Sequence, residues 1–196
     1  MTSANVKHSN NVTAIILAAG KGSRFNGHKM MHDINGTPMA IQSALNAKPH
    51  VDNVLLIVRP KDTTLKIALK EYNLPYLENP DFESGMSSSI VTAINHIPVD
   101  QNILLCLGDM PFIRPDTYRT LIETFMANEA KKIVRPIFSL EHSDAIPAHP
   151  VLFPAFLQPD LKKLKGDEGA KSILKTHKPV LVKTYDEGVI KDIDFV

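Results

Sequence analysis

The run Val12-Thr13-Ala14-Ile15-Ile16-Leu17, which stops abruptly at Ala18-Ala19-Gly20, limits the possible folds more than any other stretch of this chain. It offers almost no polar face to water, so it reads as a strand covered on both sides, the environment of a parallel sheet sandwiched between helices. Val54–Val58, ending at Arg59-Pro60, and Ile103–Leu107, ending at Gly108-Asp109, repeat the pattern. Ile133–Phe138 and Pro179–Thr184 read as later strands, some of them antiparallel. Between these runs the apolar residues fall at helical spacing. The spacing predicts helices over Thr37–Ala47, with Pro38 in the first turn, and over Thr63–Tyr72, Ser87–Ile97, Pro115–Ala127 and Asp167–His177. Three serines open the helix at Ser87, each a candidate N-cap. Strands alternating with helices imply an α/β fold: a single-domain, Rossmann-like three-layer α/β/α arrangement with a mainly parallel sheet. The proline-rich stretch Glu141–Pro159 is the least regular and is expected to form an insertion over one end of the sheet.

The length of 196 residues suits one domain, read here as residues 13–196 behind a disordered, polar tail of residues 1–12. Twenty-two basic residues against 21 acidic ones, a net charge of +1, give no reason to expect nucleic-acid binding. No run approaches the ~18 apolar residues of a membrane span, and the tail lacks the apolar centre of a secretory signal. The expectation is a cytoplasmic protein without a membrane partner. The one cysteine, Cys106, lies in an apolar run and reads as a reduced core residue.

The first strand runs into a glycine loop, Leu17-Ala18-Ala19-Gly20-Lys21-Gly22-Ser23-Arg24-Phe25, with Lys29 shortly after. In a parallel α/β sheet, ligands bind beyond the carboxyl ends of the strands. Gly20 and Gly22 let backbone N–H groups approach an anion, and Lys21, Arg24 and Lys29 add cations, the make-up of a polyphosphate cradle. The spacing is not that of a Walker P-loop. It fits only the first two glycines of a dinucleotide fingerprint, since Phe25 stands at the third. Arg59, at the end of the second strand, keeps an NADP-binding oxidoreductase as a reading of a different class. Asp109 leaves the third strand in Leu107-Gly108-Asp109-Met110-Pro111 and so emerges at the same sheet edge as the glycine loop. A hard carboxylate beside a polyphosphate is a natural Mg²⁺ ligand.

L-A-A-G-x-G-x-R-F followed by H-K-M resembles the signature of the MobA-like nucleotidyltransferases. The resemblance implies a fold of the nucleotidyltransferase (GT-A) type. It also implies transfer of a nucleoside monophosphate from an NTP with release of pyrophosphate. On this pattern the loop from Leu17, Ala18, Ala19 and Gly20 through Lys21, Gly22, Ser23 and Arg24 wraps the triphosphate. Lys29 contacts the phosphates, and L-G-D-M-P stands where the family has its metal-binding aspartate. Lys29, Arg24 and Asp109 are then the catalytic set and Mg²⁺ the cofactor. Gly188–Asp194 resembles the family's D-I-D-T-P-E-D-L segment, whose acid completes the metal site. Asp194 is the first choice for that role and Asp192 the second, although the T-P-E-D continuation does not follow.

Further segments resemble the molybdenum cofactor cytidylyltransferases. Gly85-Met86-Ser87-Ser88-Ser89 resembles their matching segment; its hydroxyls and helix N–H groups make Gly85, Ser87 and Ser88 candidates to hold a ribose, a base or an anionic group, with plain capping as the alternative. His149-Pro150-Val151-Leu152-Phe153 matches G-H-P-V-L-F, with Ala148 for the glycine. Gly166-Asp167-Glu168-Gly169-Ala170-Lys171 matches G-D-x-G-A-R, with Lys171 for the arginine. L-A-A-G rather than L-A-G-G favours the cytidylyl over the guanylyl branch. The implied reaction joins CMP from CTP to the phosphate of molybdopterin, with His149, Asp167 and Lys171 at the acceptor and a molybdoenzyme as a transient partner. His149 contacts the acceptor phosphate or packs beside Pro150; both readings stand. Lys171 lacks the planar fork of arginine, which leaves a sugar-phosphate acceptor as an alternative; transfer from another NTP is a further alternative. A non-catalytic cofactor carrier is the remaining reading of a different class.

Overall fold

The computed structural model describes residues 10–20, 29–139 and 145–193. The chain runs through β1 (Val12–Leu17), a small hairpin of β2 (Asp33–Ile34) and β3 (Thr37–Pro38), α1 (Met39–Ala47), β4 (Asn53–Val58), α2 (Thr63–Glu71), β5 (Tyr76–Glu78) and α3 (Met86–Ile94). It continues with β6 (Asn102–Leu107), α4 (Pro115–Ala127), β7 (Val134–Phe138), β8 (Ile146–Pro147), β9 (Val151–Phe153), α5 (Gln158–Leu161), α6 (Lys171–Thr176) and β10 (Val180–Thr184). The main sheet has the order β10-β7-β9-β6-β1-β4-β5, with β8 paired to β7. β1 pairs in parallel with β4 and β6, β4 with β5, and β7 with β10, while β9 runs antiparallel to β6 and β7.

Every residue of β1 is buried, and alternate side chains enter two separate cores. Val12, Ala14 and Ile16 face α1, α2 and α4 through Ile41, Leu65 and Phe125. Ile15 and Leu17 face α3, α5 and α6 through Ile90, Leu161 and Ile173. This is the three-layer α/β/α arrangement expected from the apolar runs. Each fully buried Leu or Ile contributes about 1.5–3 kcal/mol, which is why a run with no polar side belongs at the sheet centre. The strand order reverses between β1 and β6, so a crevice opens beyond the carboxyl ends of these two strands.

The expected insertion at Glu141–Pro159 is corrected by the structure. Residues 141–144 lie outside the described residues, but β9 sits inside the sheet between β6 and β7, and all three of its residues are buried. Three apolar residues flanked by prolines are too short to show a strand period, yet both of their faces are covered. Helix starts also shift. Thr37 and Pro38 form a strand of the hairpin, so α1 begins at Met39, and α6 begins at Lys171 because Gly166 and Gly169, with φ of +70° and +56°, hold the preceding loop out of the helix. Residues 10–12, assigned to the tail by sequence, are tied to the sheet: Val12 opens β1, and Asn11 accepts from Asn102 N at 2.8 Å. Among the described residues, no helix is long and apolar enough to cross a membrane.

Candidate active site

Two loops meet at the crevice. Ala18 N donates to Ile57 O and Gly108 N donates to Leu17 O, which fastens the end of β1 to both neighbouring strands. The turn that carries Asp109 is pinned from behind by α1: Ser43 Oγ donates to Gly108 O at 3.1 Å and Asn46 Nδ2 to Pro111 O at 2.7 Å. Asp109 itself faces the crevice, where Lys29 Nζ lies 2.7 Å from its Oδ2. Their side chains are 11% and 20% exposed, so the pair is sheltered without being sealed from solvent. Two residues 80 positions apart thus form one polar junction, whereas the sequence placed Lys29 at phosphates and Asp109 at a metal without pairing them.

Beside the junction lies a cavity of about 260 Å³ lined by Leu17, Ala19, Gly20, Met30, Phe82, Gly85, Met86, Ser89, Leu107, Asp109 and Asp167. Leu17, Ala19, Gly20 and Gly85, expected at a nucleotide, are therefore at this cavity, whereas Ala18 is fully buried behind it. Lys21, Gly22, Ser23 and Arg24 lie outside the described residues. Of the three serines opening α3, Ser89 lines the cavity. Ser87 is buried, and its hydroxyl has no hydrogen-bond partner among the described residues. Ser88 Oγ donates to Gly85 O and accepts from Asn79 Nδ2, both at 2.8 Å, and Ser88 lines a separate open groove with Asp81 and Thr92.

None of those serines caps α3 from the N-cap position; that residue is Gly85, with φ of +107°. The cap comes from a remote loop. Asp167 Oδ1 accepts from Met86 N at 3.2 Å, and Gly166 O accepts from Ser87 N at 3.1 Å. A Cβ at Gly85 would stand 2.5 Å from both Asp167 Oδ1 and Gly166 O, so only glycine admits this approach. Asp167, expected at an acceptor, thus lines the same cavity as Gly20. Lys171 is exposed at the start of α6 and does not line it. Nothing in the sequence marks Phe82 as sharing a cavity with Leu17, while the packing of α3 against β1 brings Met86 and Ser89 of the Gly85–Ser89 segment to it.

The C-terminal segment reaches the backbone of the Asp109 turn without lining the cavity. Ile193 N donates to Asp109 O at 3.1 Å, so the chain reaches Asp109 immediately before Asp194, which lies outside the described residues; Asp192 is exposed. Buried Asp186 anchors this segment by accepting from Arg114 N at 2.8 Å, Thr117 Oγ1 at 2.7 Å and Gly188 N at 3.0 Å, which also caps α4. His149 N donates to Val189 O. Among the described residues, the buried His149 Nδ1 has no hydrogen-bond partner. Burial, and then the charge of Arg135, push its pKa down to about 4, against a smaller upward pull from Asp109. Arg59, the residue behind the NADP reading, is held by Asp62 through Nε at 2.8 Å and Nη2 at 2.6 Å. Burial pushes the Cys106 thiol well above its ordinary value, consistent with a core residue. Among the described residues, no three His, Cys, Asp or Glu side chains are grouped to hold a metal by themselves.

Residues 14–180 match the model of the MobA-like NTP transferase domain. The chain belongs to that family. It is 31% identical over 116 residues to the probable molybdenum cofactor guanylyltransferase of Thermococcus sibiricus, across 57% of this chain and 54% of that protein. It is 32% identical over 126 residues to the bifunctional protein GlmU of a Hydrogenobaculum species, across 61% of this chain and 27% of the other. The chain therefore spans about a quarter to a half of these two family relatives. A longer match, 25% identical over 199 residues, covers 92% of this chain and 90% of the purine catabolism protein PucB of Bacillus subtilis. Among solved structures, Rv0371c of Mycobacterium tuberculosis in complex with manganese superposes with a TM-score of 0.68 at 20% identity, over 88% of this chain and 86% of that one.

Proposed function

We propose that this family member is a divalent-metal-dependent nucleotidyltransferase that moves CMP from CTP to the phosphate of molybdopterin and releases pyrophosphate. The observation that carries the reading is the Lys29–Asp109 junction at the crevice between β1 and β6, beside a cavity lined by the start of the glycine loop, Leu17, Ala19 and Gly20. Asp109 supplies hard carboxylate oxygens, and the D-I-D segment arrives at its carbonyl, so a second carboxylate at Asp194 is within the same stretch of chain. One or two carboxylates plus substrate phosphates suit Mg²⁺, which needs no all-protein cage. A bound divalent cation supplies charge neutralisation at the α-phosphate and on departing pyrophosphate.

The protein's own groups then position and neutralise. Gly20 brings backbone close to the cavity, and Lys21 and Arg24 supply positive charge for the phosphates. Lys29 presents its ammonium group to the triphosphate. An oxygen of the acceptor phosphate forms a bond to the α-phosphorus as the bond to pyrophosphate breaks, and pyrophosphate leaves with the electron pair. No covalent enzyme intermediate is needed, so positioning and electrostatics carry the catalysis. Gly85 and Ser89 hold the nucleoside end, with Ser87 and Ser88 shaping the helix start, while His149, Asp167 and Lys171 serve the acceptor. Ala19 supports CTP over GTP: its Cβ occupies space at the cavity wall that a glycine leaves open, which favours a pyrimidine.

The guanylyltransferase relative supports a second reading with GTP and the same chemistry. Pyrophosphate release with Mg²⁺ and molybdopterin, measured separately with CTP, GTP, ATP and UTP, separates them. Release with CTP is the expected result, release with GTP moves the base assignment, and absence of NTP binding overturns the proposal.

A further inference from the structure

We infer that Asn79 is a positioning residue of the nucleotide cavity: it holds Ser89 as a hydrogen-bond donor, so that the Ser89 hydroxyl donates to an uncharged oxygen of the nucleoside. The inference rests on the nucleotidyl-transfer reading and deepens it. Asn79 follows β5 directly, and its backbone N–H donates to Val58 O at 2.8 Å. The residue is fully buried. A side-chain amide has two acceptor sites and two N–H donors, and here all of them are used. Asp81 N donates to Oδ1 at 3.0 Å, and Thr92 Oγ1 donates to it at 3.3 Å. Nδ2 donates to Ser88 Oγ at 2.8 Å and to Ser89 Oγ at 3.0 Å. A backbone N–H can only donate, so Asp81 N fixes which end of the amide is oxygen. The end that faces the two serines is therefore the donor.

The two serines then differ. Ser88 spends its own proton on Gly85 O at 2.8 Å. Ser89 accepts from Asn79, and its proton has no acceptor among the described residues. Ser89 is 5% exposed and lines the cavity. A sheltered O–H without an acceptor is unfavourable, so this proton is directed at what fills the cavity. The lining selects the kind of acceptor. Leu17, Phe82, Met86 and Leu107 are apolar, Asp109 and Asp167 are carboxylates, and among the described residues no Lys or Arg lines the cavity. Two carboxylates repel a phosphate, whereas a ribose hydroxyl or a base carbonyl carries no charge to be repelled. Phe82 and Met86 add the apolar surface on which a nucleoside ring packs. The Ser89 proton therefore meets the nucleoside and not the triphosphate.

The test titrates CTP, and separately inorganic triphosphate, calorimetrically into full-length protein with Mg²⁺ and no acceptor. Ser89→Ala is expected to bind CTP about five- to tenfold more weakly, the loss of one neutral hydrogen bond. Asn79→Asp has no N–H to offer, so both serine protons turn onto its carboxylate; its loss of CTP affinity is expected to be at least as large. The double variant Asn79→Asp/Ser89→Ala is expected to match Ser89→Ala, because Asn79 acts through Ser89. Triphosphate affinity is expected to be unchanged in every variant, which general damage to the fold would not allow. With 2′-deoxy-CTP, a Ser89→Ala loss that disappears places the contact on the 2′ oxygen, and a loss that persists places it elsewhere on the nucleoside; both support the donor role. Ser89→Ala protein that binds CTP like wild type overturns that role, whether or not Asn79→Asp folds. A folded Asn79→Asp protein with wild-type CTP affinity, additive losses in the double variant, or an equal loss of triphosphate affinity overturns the positioning role. Wild type that binds neither CTP nor triphosphate is a different result: it overturns the nucleotidyl-transfer reading, and this inference with it.

Discussion

Replacing Gly85 by alanine drives a methyl group to 2.5 Å from Asp167 Oδ1 and from the carbon and oxygen of Gly166. The backbone at Gly85 has φ of +107° and ψ of 174°, a region that side chains penalise by about 1–3 kcal/mol. The loop at 166–167 has to retreat, which removes its acceptors from Met86 N and Ser87 N. Two hydrogen bonds at about 1 kcal/mol each bring the total to about 3–5 kcal/mol. For a chain of this size that corresponds to a drop of roughly 6–20 °C in melting temperature, at about 2–4 °C per kcal/mol. Urea denaturation measures the stability change, and calorimetry measures the accompanying loss of NTP affinity as the cavity wall shifts. A Gly85→Ala protein within about 0.5 kcal/mol of wild type, the size of an ordinary surface substitution, refutes the claim that this contact is fixed by glycine.

His149 makes stability pH-dependent. Its pKa is held near 4 in the fold against an ordinary 6.5, so the unfolded chain takes up the proton first on acidification. The contribution, up to about 3 kcal/mol, is complete above pH 6.5 and is lost as pH falls toward 4. Thermal scans across that window are expected to show a slope that flattens in His149→Gln; an unchanged slope contradicts it. Asp186→Ala removes three acceptor bonds and the cap of α4, at a cost of about 3 kcal/mol, and loosens the C-terminal segment behind Asp109. Hydrogen exchange at Gly188 and Ile193 is expected to rise in that variant, and native-like protection there argues against the anchoring role.

The central strands are legible because β1, β4 and β6 are apolar on both faces, a pattern that few other environments tolerate. β5 and β9 are not, since three-residue strands such as Tyr76–Glu78 and Val151–Phe153 show no period, and neighbours supply their burial. At the site, Lys29 and Asp109 carry their chemistry in residue type and in position at strand ends. Asp167 illustrates the opposite case. Its role as the remote cap of α3 depends on Gly85 at position +107° in φ, a contact across 81 residues that no local pattern encodes.

The central claim is that the Lys29–Asp109 junction is where the nucleotide is transferred. Pyrophosphate release by wild type and Asp109→Asn, with Mg²⁺, CTP and molybdopterin, tests it most directly. The account predicts a rate lower by about 10³-fold or more, with the melting temperature and the CTP dissociation constant within a few-fold of wild type, as expected when charge stabilisation in the transition state is lost. A folded Asp109→Asn protein that releases pyrophosphate at the wild-type rate contradicts it.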